Sequence, residues 1–181
     1  MLPLVLAVVV TASTACGGTA DDAGARAEEP RATEVELTAP DVPPLHPSVD
    51  DYPEAWVTVR GPSDGPVVLP VKVADNAERR RHGLMEVPEL PAGTGMLFTF
   101  DEDRTGGFWM KDTLVPLDIA FVDGAGAVVA ILSMEPCEDD PCPVYEPEVS
   151  YRTALEVPQG WFDEVGIEVG HGLQHTDPVD P

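Results

Sequence analysis

The chain has 181 residues, a formal net charge of −23, twenty prolines and sixteen glycines. Its length suits one ordinary domain with appendages, and so acidic a surface excludes nucleic acid as an expected partner because it repels phosphate backbones. The many prolines and glycines exclude long helices, and the short apolar runs favour an all-β to mainly β fold: a single sandwich-like or barrel-like domain with one or two short helices.

The first fifteen residues have the features of a secretory signal. The apolar run from Leu2 to Val10 is too short to cross a bilayer, which needs ~20 residues, but it suits the core of a signal over residues 1–15. The small residues 13–15 before Cys16 resemble a bacterial lipoprotein signal, although serine replaces the usual large apolar residue at position 13. No Lys or Arg precedes the run, which a start codon upstream would explain. We therefore expect an extracytoplasmic protein anchored to the membrane by a lipid on Cys16, with plain secretion as the alternative.

The chain then divides by composition. Residues 16–54 are acidic, rich in proline and without periodicity, so they predict the lipid-attachment cysteine and a disordered tether. Residues 55–175 carry the apolar patterns of a single globular domain, and residues 176–181 form a tail.

The two remaining cysteines, Cys137 and Cys142 in CEDDPC, form an even pair outside the reducing cytosol and predict a disulfide. On the chain-entropy model, closing this ring contributes roughly 2 kcal/mol. A metal site would need further ligands, and none of the four histidines is near in sequence. The sequence indicates neither a metal nor a cofactor.

The domain begins with two strands in WVTVR and VVLPVKVA, in which Pro70 is expected to confine the second strand to an edge or a bulge. A short helix over 76–82 should follow, because Asp75 and Glu78 have the spacing of a capping box and Gly83 marks the end. Its Arg79-Arg80-Arg81 cluster is open to two interpretations, an anionic ligand or ion pairs with neighbouring acids. We favour the ion pairs.

The stretch from Phe108 to Leu132 is the most distinctive part of the sequence. Alternation after the strand GMLFTF puts Phe108 and Met110 on one face and Trp109 and Lys111 on the other, so that Lys111 either stacks on Trp109 or projects into a cleft. In PLDIAFV, Leu117, Ile119 and Phe121 share a face, which leaves Asp118 among Ala120 and Val122. Asp118 then needs a partner, and Lys111 is the expected one.

The turn DGAG, at 123–126, predicts a hairpin that returns through AVVAIL. Further on, YRTALEV alternates like a strand, residues 159–165 predict a second short helix ending at Gly166, and IEVGHGLQH offers a closing strand.

The motifs RxxGLM, LPAGTGMLFTF, FWMKDTLVPLDIAFVD, ALEVPQGW and VGHG, in this order, resemble the family known as domain of unknown function 192. The resemblance covers roughly residues 67–173. It implies a compact β-rich domain, often exported, whose activity is not established. The CEDDPC loop looks like an insertion typical of exported relatives, and His171 stands where the family pattern leads us to expect an acid.

Three functions fit the sequence. The first is a non-catalytic module of the cell envelope that binds a ligand or partner protein through Trp109, Lys111 and Asp118. The second is an enzyme acting on envelope glycans, with Asp118 as acid or base, Lys111 tuning it, Trp109 stacking on sugar and Glu102 as second carboxylate. The third is Cu(I) binding by thioethers, from Met85, Met96, Met110 and Met134. We favour the first, because there is no hydrolase, zinc-protease or phosphate-loop motif; for Lys111 and Asp118, a purely structural ion pair is favoured over catalysis.

Overall fold

The computed structural model describes residues 43–60, 65–137, 140–178 and 180. The predicted signal at 1–15, Cys16 and the tether as far as residue 42 lie outside these residues. Within the described part of the chain, no helix is long and apolar enough to cross a membrane.

The described residues form nine strands and two short helices, which confirms the predicted mainly β fold. In chain order the elements are β1 Glu54–Arg60, β2 Val67–Ala74, α1 Ala77–His82, β3 Gly95–Arg104, β4 Phe108–Trp109, β5 Leu117–Val122, β6 Val128–Met134, β7 Val144–Tyr145, β8 Tyr151–Pro158, α2 Trp161–Glu164 and β9 Gly172–His175.

Seven strands form one sheet in the order β6-β5-β8-β3-β2-β1-β9, and the sheet curls into a half-barrel. β4 and β7 pair separately as a small two-stranded sheet. Neighbours in the large sheet are antiparallel except β2 and β3, which are parallel. A tight turn cannot join parallel strands. Residues 75–94, which include α1, therefore cross over one face of the sheet.

Both faces of the sheet are apolar, because successive side chains along each strand point to opposite sides. Met96 and Phe98 pack into one core cluster, and Leu97 between them packs into the other. We call the first side the crossover face, since Leu84 and Val87 of the crossover are buried in its cluster. The second side is the α2 face, which is covered by Trp161 and Phe162.

The central hairpin is confirmed. β5 and β6 pair from Leu117↔Met134 to Val122↔Val128, and the turn at 123–126 joins them. Leu117, Ile119 and Phe121 lie on the crossover face, whereas Ala120 and Val122 lie on the α2 face.

The predicted extent of the tether is wrong at its C-terminal end. Leu45, Val49 and Tyr52 are buried in the cluster of the crossover face, so the folded domain begins before residue 55. These three residues have the i, i+4, i+7 spacing of one helical face, but prolines at 43, 44, 47 and 53 interrupt the segment, and the structure has turns at 47–51 in place of a helix.

The expectation that Pro70 confines β2 to an edge is also wrong, since β2 lies between β1 and β3. Pairing with β3 starts only at Val71, so Pro70 lies beside β1 alone. The missing N–H of the proline therefore does not interrupt the ladder to β3.

The predicted first helix forms, with a different cap. The side chain of Asn76, not that of Asp75, accepts hydrogen bonds from the backbone N–H groups of Glu78 and Arg79, both at 3.0 Å. Asp75 instead forms an ion pair with Arg79 at 2.9 Å. Gly83 ends the helix with φ 54°, as predicted.

We predict that Val49→Ala lowers the free energy of unfolding by about 2 kcal/mol, because it removes two methyl groups from a fully buried side chain and leaves a cavity. Val169→Ala is the matched control, since Val169 is 59% exposed and such surface changes usually stay within about 0.5 kcal/mol. Urea unfolding measures both. Equally small effects would show that the segment before β1 is not part of the core.

Candidate functional site

The site is built around Phe108, which holds β4 on the crossover face. Its ring lies 4.9 Å from that of Phe98 and 5.7 Å from that of Phe121, in edge-to-face contacts. Because β4 is extended, the next side chain points the opposite way, and Trp109 is 46% exposed. A large aromatic ring is thus displayed to solvent on a rigid support.

The disulfide loop supports β4 from the other side. Cys137 and Cys142 are bonded as predicted, with Cα atoms 5.7 Å apart. The backbone of Cys137 forms an isolated β-bridge with that of Lys111, and Val144 of β7 pairs with Trp109 of β4. This approach requires Gly107, since a Cβ there would lie 2.6 Å from Cγ1 of Val144. The loop therefore positions the two side chains that the sequence singled out.

Three cavities that share lining residues lie between α1 and β4. An outer cleft of about 610 Å³ has Trp109 and Lys111 in its lining. A second cleft of about 270 Å³, which we call the arginine cleft, is also lined by Arg81 and Trp109. An inner cavity of about 20 Å³ is lined by Arg81 and Trp109 as well.

The arginine cleft combines cations with aromatic rings. No Asp or Glu is among the described residues that line it, although the chain carries 33 acids. Its charged and aromatic lining consists of Arg80, Arg81, Arg104, Phe98, Phe100, Phe108, Trp109 and Tyr151.

The arginines of this cleft are engaged to different degrees. Arg80 donates hydrogen bonds to the carbonyl oxygens of Asp75 and Thr99, both at 2.7 Å, and its guanidinium lies over the Phe100 ring. The guanidinium of Arg104 lies over the same ring, 4.4 Å from its centre. Arg81 is exposed and has no ion pair or hydrogen bond among the described side chains.

Of the arginine cluster on α1, only Arg79 forms the predicted ion pair with an acid. Arg80 is held by carbonyl oxygens, and Arg81 is directed to the clefts. The prediction of a set of ion pairs is therefore wrong for two of the three.

In the outer cleft, both alternatives for Lys111 hold together. Its Nζ lies 5.9 Å from the centre of the Trp109 ring, and the side chain lines the cleft. Asp51, Glu78 and Asp112 also line this cleft, so its charge is mixed.

The inner cavity contains a carboxyl group that the sequence analysis missed. Glu156 is 5% exposed and lies on β8 opposite Ile119 and Met96. It has no hydrogen bond or ion pair among the described residues. Burial raises the pKa of Glu156 from its ordinary value of 4.5 to about 8.

Two further polar side chains line the inner cavity. His82, the last residue of α1, has a buried Nε2 without a hydrogen-bond partner. Thr113 is buried, and its hydroxyl donates one long hydrogen bond, 3.5 Å, to the carbonyl of Lys111.

Asp118 does not line any of these three cavities. It forms no ion pair with Lys111, so that expectation is wrong. Its Oδ1 accepts a hydrogen bond of 2.6 Å from the hydroxyl of Ser133, and its Oδ2 accepts one of 2.7 Å from the N–H of Gly160. The alternation of β5 directs Asp118 to the α2 face, away from Trp109. Asp118 thus connects β5 to β6 and to the start of α2.

Glu102 is not brought near Asp118 either. Asp118 is level with Val157 of β8, whereas Glu102 lies beyond Thr99, which is level with Thr153. The four residues from Thr153 to Val157 already span about 13 Å along β8. In addition, β5, which carries Asp118, is not a neighbour of β3, which carries Glu102. This exceeds the separation of the carboxyl pairs in glycosidases, so the geometry does not support the glycan-acting enzyme.

The methionines serve the core. Met96, Met110 and Met134 are buried among apolar side chains of the crossover face, and Met85 lines the outer cleft and the inner cavity. This is the gap-filling use of methionine and gives no support to Cu(I) binding. The described residues also include no group of three or more His, Cys, Asp or Glu that could hold a metal ion.

A signal for Glu156 was present in the sequence. The criterion that singled out Asp118, a carboxylate between apolar residues of a strand, applies equally to Glu156 between Leu155 and Val157. His82 carried no such signal, because its burial depends on how α1 crosses the sheet.

Fold and site together define a curled-sheet β domain with an aromatic, arginine-lined groove beside a short crossover helix. Residues 58–175 match the family described as "Uncharacterized ACR", domain of unknown function 192. The chain belongs to this family, and the predicted resemblance is confirmed.

Two solved structures are similar to this chain. One is a protein from Sinorhizobium meliloti 1021 described as a candidate transcription regulator, with 27% identity, a TM-score of 0.65, and coverage of 69% of this chain and 95% of that one. The other is a protein of unknown function from Novosphingobium aromaticivorans DSM 12444, with 29% identity, a TM-score of 0.65, and coverage of 74% and 93%. No curated protein matches the chain significantly.

We predict that Glu156 makes the folded state less stable as the pH rises. Its folded-state pKa of about 8 exceeds the ordinary 4.5. From about pH 4.5 to about pH 8, the unfolded chain therefore loses this proton while the folded chain keeps it, and the free energy of unfolding falls. Below that window both states are protonated, and the effect vanishes.

The test compares the natural chain with Glu156→Gln by urea unfolding at about pH 5 and about pH 9. The variant should gain a few kcal/mol relative to the natural chain between the two values, because glutamine does not titrate. Taking the difference cancels the contributions of titrating groups that do not contact Glu156. A difference that does not change with pH would contradict a desolvated carboxyl.

Proposed function

We propose that this domain binds a small anionic ligand that carries a ring, in the arginine cleft. The observation that carries the proposal is the lining of that cleft: its described residues include three arginines, five aromatic rings and no acid, in a chain of net charge −23. Guanidinium groups form paired, charge-assisted hydrogen bonds with carboxylate or phosphate. Aromatic rings add apolar contact and stacking.

The distribution of charge over the chain supports the proposal. Three of its ten Lys and Arg residues line the arginine cleft, namely Arg80, Arg81 and Arg104. A cleft of one sign concentrates ligands of the opposite sign, while the acidic remainder of the surface repels them. A small anion satisfies both conditions, and a long polyanion does not.

For the same reason, the description of the Sinorhizobium meliloti protein as a candidate transcription regulator is not carried over to DNA binding here. DNA binding depends on neutralising phosphates over an extended basic surface, and this chain is strongly acidic.

The proposal is for binding and not for catalysis. The described lining of the arginine cleft contains no Ser, Cys, His, Asp or Glu. Its one tyrosine, Tyr151, donates its hydroxyl proton to the carbonyl of Gly106 at 3.0 Å, so this lining does not favour a nucleophile or general base at the arginine cleft.

We also propose that the domain acts outside the cytoplasm, anchored by a lipid on Cys16. The apolar run at 2–10 and the small residues before the cysteine support export. The disulfide between Cys137 and Cys142 supports it as well, since such bonds persist in oxidising compartments.

We expect a ring-bearing anion to bind at the arginine cleft and Arg81→Ala to weaken its binding about tenfold, because one charge-assisted hydrogen bond contributes ~1.5–3 kcal/mol. Chemical-shift titrations would use benzoate, cyclohexanecarboxylate and glucuronate as probes. Arg60→Ala is the matched control. It removes the same charge from an exposed arginine, the last residue of β1, which donates a hydrogen bond to the side chain of Gln174 on β9. Saturation by none of the three probes, or equal losses in both variants, would refute the site.

For the anchor, we expect the full chain to fractionate with membranes in a bacterial host that processes lipoproteins, and Cys16→Ala to leave the membrane fraction. The double variant Cys137→Ala/Cys142→Ala controls for the loss of cysteine as such and should remain with the membrane. Recovery of the natural chain from the cytoplasm would contradict export.

A further inference from the structure

We propose that the inner cavity is a subsite for a ligand hydroxyl, so that the anion bound in the arginine cleft is an acidic sugar with one hydroxyl hydrogen-bonded by Glu156, His82 and Thr113. This inference rests on the proposed anion-binding role of that cleft and narrows the class of its ligand.

The volume of the inner cavity limits which group can enter it. The inner cavity has a volume of about 20 Å³. A water-sized atom needs roughly 10–15 Å³ and two to four polar partners. The cavity thus has room for one oxygen atom, and a carboxylate or phosphate group does not fit.

The hydrogen bonding of the polar groups around the inner cavity favours an inserted oxygen atom. The Nε2 of His82 is buried without a hydrogen-bond partner, and the carboxyl of Glu156, a residue 5% exposed, has no hydrogen bond or ion pair among the described residues. A buried polar group without a hydrogen bond costs ~1–3 kcal/mol. An inserted oxygen that bonds to both groups would recover that cost on binding.

The donor and acceptor properties of Glu156, His82 and Thr113 match a hydroxyl group. With its pKa raised to about 8 by burial, Glu156 is neutral near pH 7 and both donates and accepts. An imidazole and a threonine hydroxyl also offer both roles. A ligand hydroxyl, which donates and accepts from a single atom, matches them, whereas an ammonium group would be repelled by Arg80 and Arg81 in the same lining.

The inner cavity adjoins the arginine cleft. The inner cavity shares Arg80, Arg81, Phe108 and Trp109 with the arginine cleft. A ring packed against the aromatic side chains, with its acid group toward the arginines, therefore has the cavity within reach of a ring substituent. The outer cleft, which Arg81 also lines, offers side chains that suit further hydroxyls, including Ser48, Glu78 and Asp112.

The test compares two anions that share a six-membered ring and a carboxylate. Glucuronate carries ring hydroxyls, and cyclohexanecarboxylate carries none. Sites built around a buried hydroxyl partner discriminate strongly against analogues that lack the hydroxyl. We expect glucuronate to bind the natural chain at least about tenfold more tightly.

Two variants assign the preference to the cavity. Glu156→Leu should abolish the preference for glucuronate and leave cyclohexanecarboxylate binding unchanged, because leucine can neither donate nor accept. Glu156→Gln, which does both, should retain it. Thr113→Val provides an isosteric variant in the same lining and should reduce the preference. If Glu156→Leu does not fold, the ¹³C shift of the Glu156 carboxyl in the natural chain gives the answer: it should respond to glucuronate and not to cyclohexanecarboxylate.

Equal binding of the two anions, or a preference that persists in Glu156→Leu, would overturn the hydroxyl subsite while leaving the anion site standing. Binding of neither anion, nor of benzoate, would overturn the anion site itself and the subsite with it.

Discussion

The parallel pairing of β2 with β3 is the constraint on which the site depends. Because parallel neighbours need a long connection, residues 75–94 must leave the sheet and return across its crossover face. That path carries α1, none of whose six residues is fully buried. A helix this short is held by its connections and its cap. The clefts are the space between this raised connection and β4.

The rest of the groove depends on anchoring from the opposite side. Phe108 packs edge-to-face on Phe98 and Phe121, and this contact fixes the outward direction of Trp109. The disulfide loop pairs with the same segment through Val144 and Cys137, and Gly107 lets the two backbones approach. Aromatic packing and the covalent closure of the loop therefore support the same two side chains, Trp109 and Lys111.

The sequence allowed the local features to be predicted and left the long-range ones open. The β5–β6 hairpin, the extent of α1 and the two faces of FWMK depend on alternation and turn residues, which act within a few positions. The partner of Asp118 and the place of Pro70 depend on which strands become neighbours. Leu45 and Val49 were assigned to a tether because prolines and acids dominate their segment, yet with Tyr52 they have the spacing of one helical face, and the crossover face buries them. Glu156 has the same local pattern as Asp118 and was overlooked, but only the tertiary structure distinguishes the two, because Glu156 has no partner among the described residues.

The four buried charged residues of the described chain separate structural from functional roles. Lys72 and Glu54 form an ion pair at 2.7 Å, and Lys72 also donates to the carbonyl of Asp50. Asp118 accepts two hydrogen bonds that join three elements. Such partners offset the cost of desolvation, so these three residues stabilise the fold. Glu156 has no such compensation, and an apolar residue at its position would fill the crossover face without that cost. A destabilising group that borders the cleft system is better explained by a ligand than by the fold.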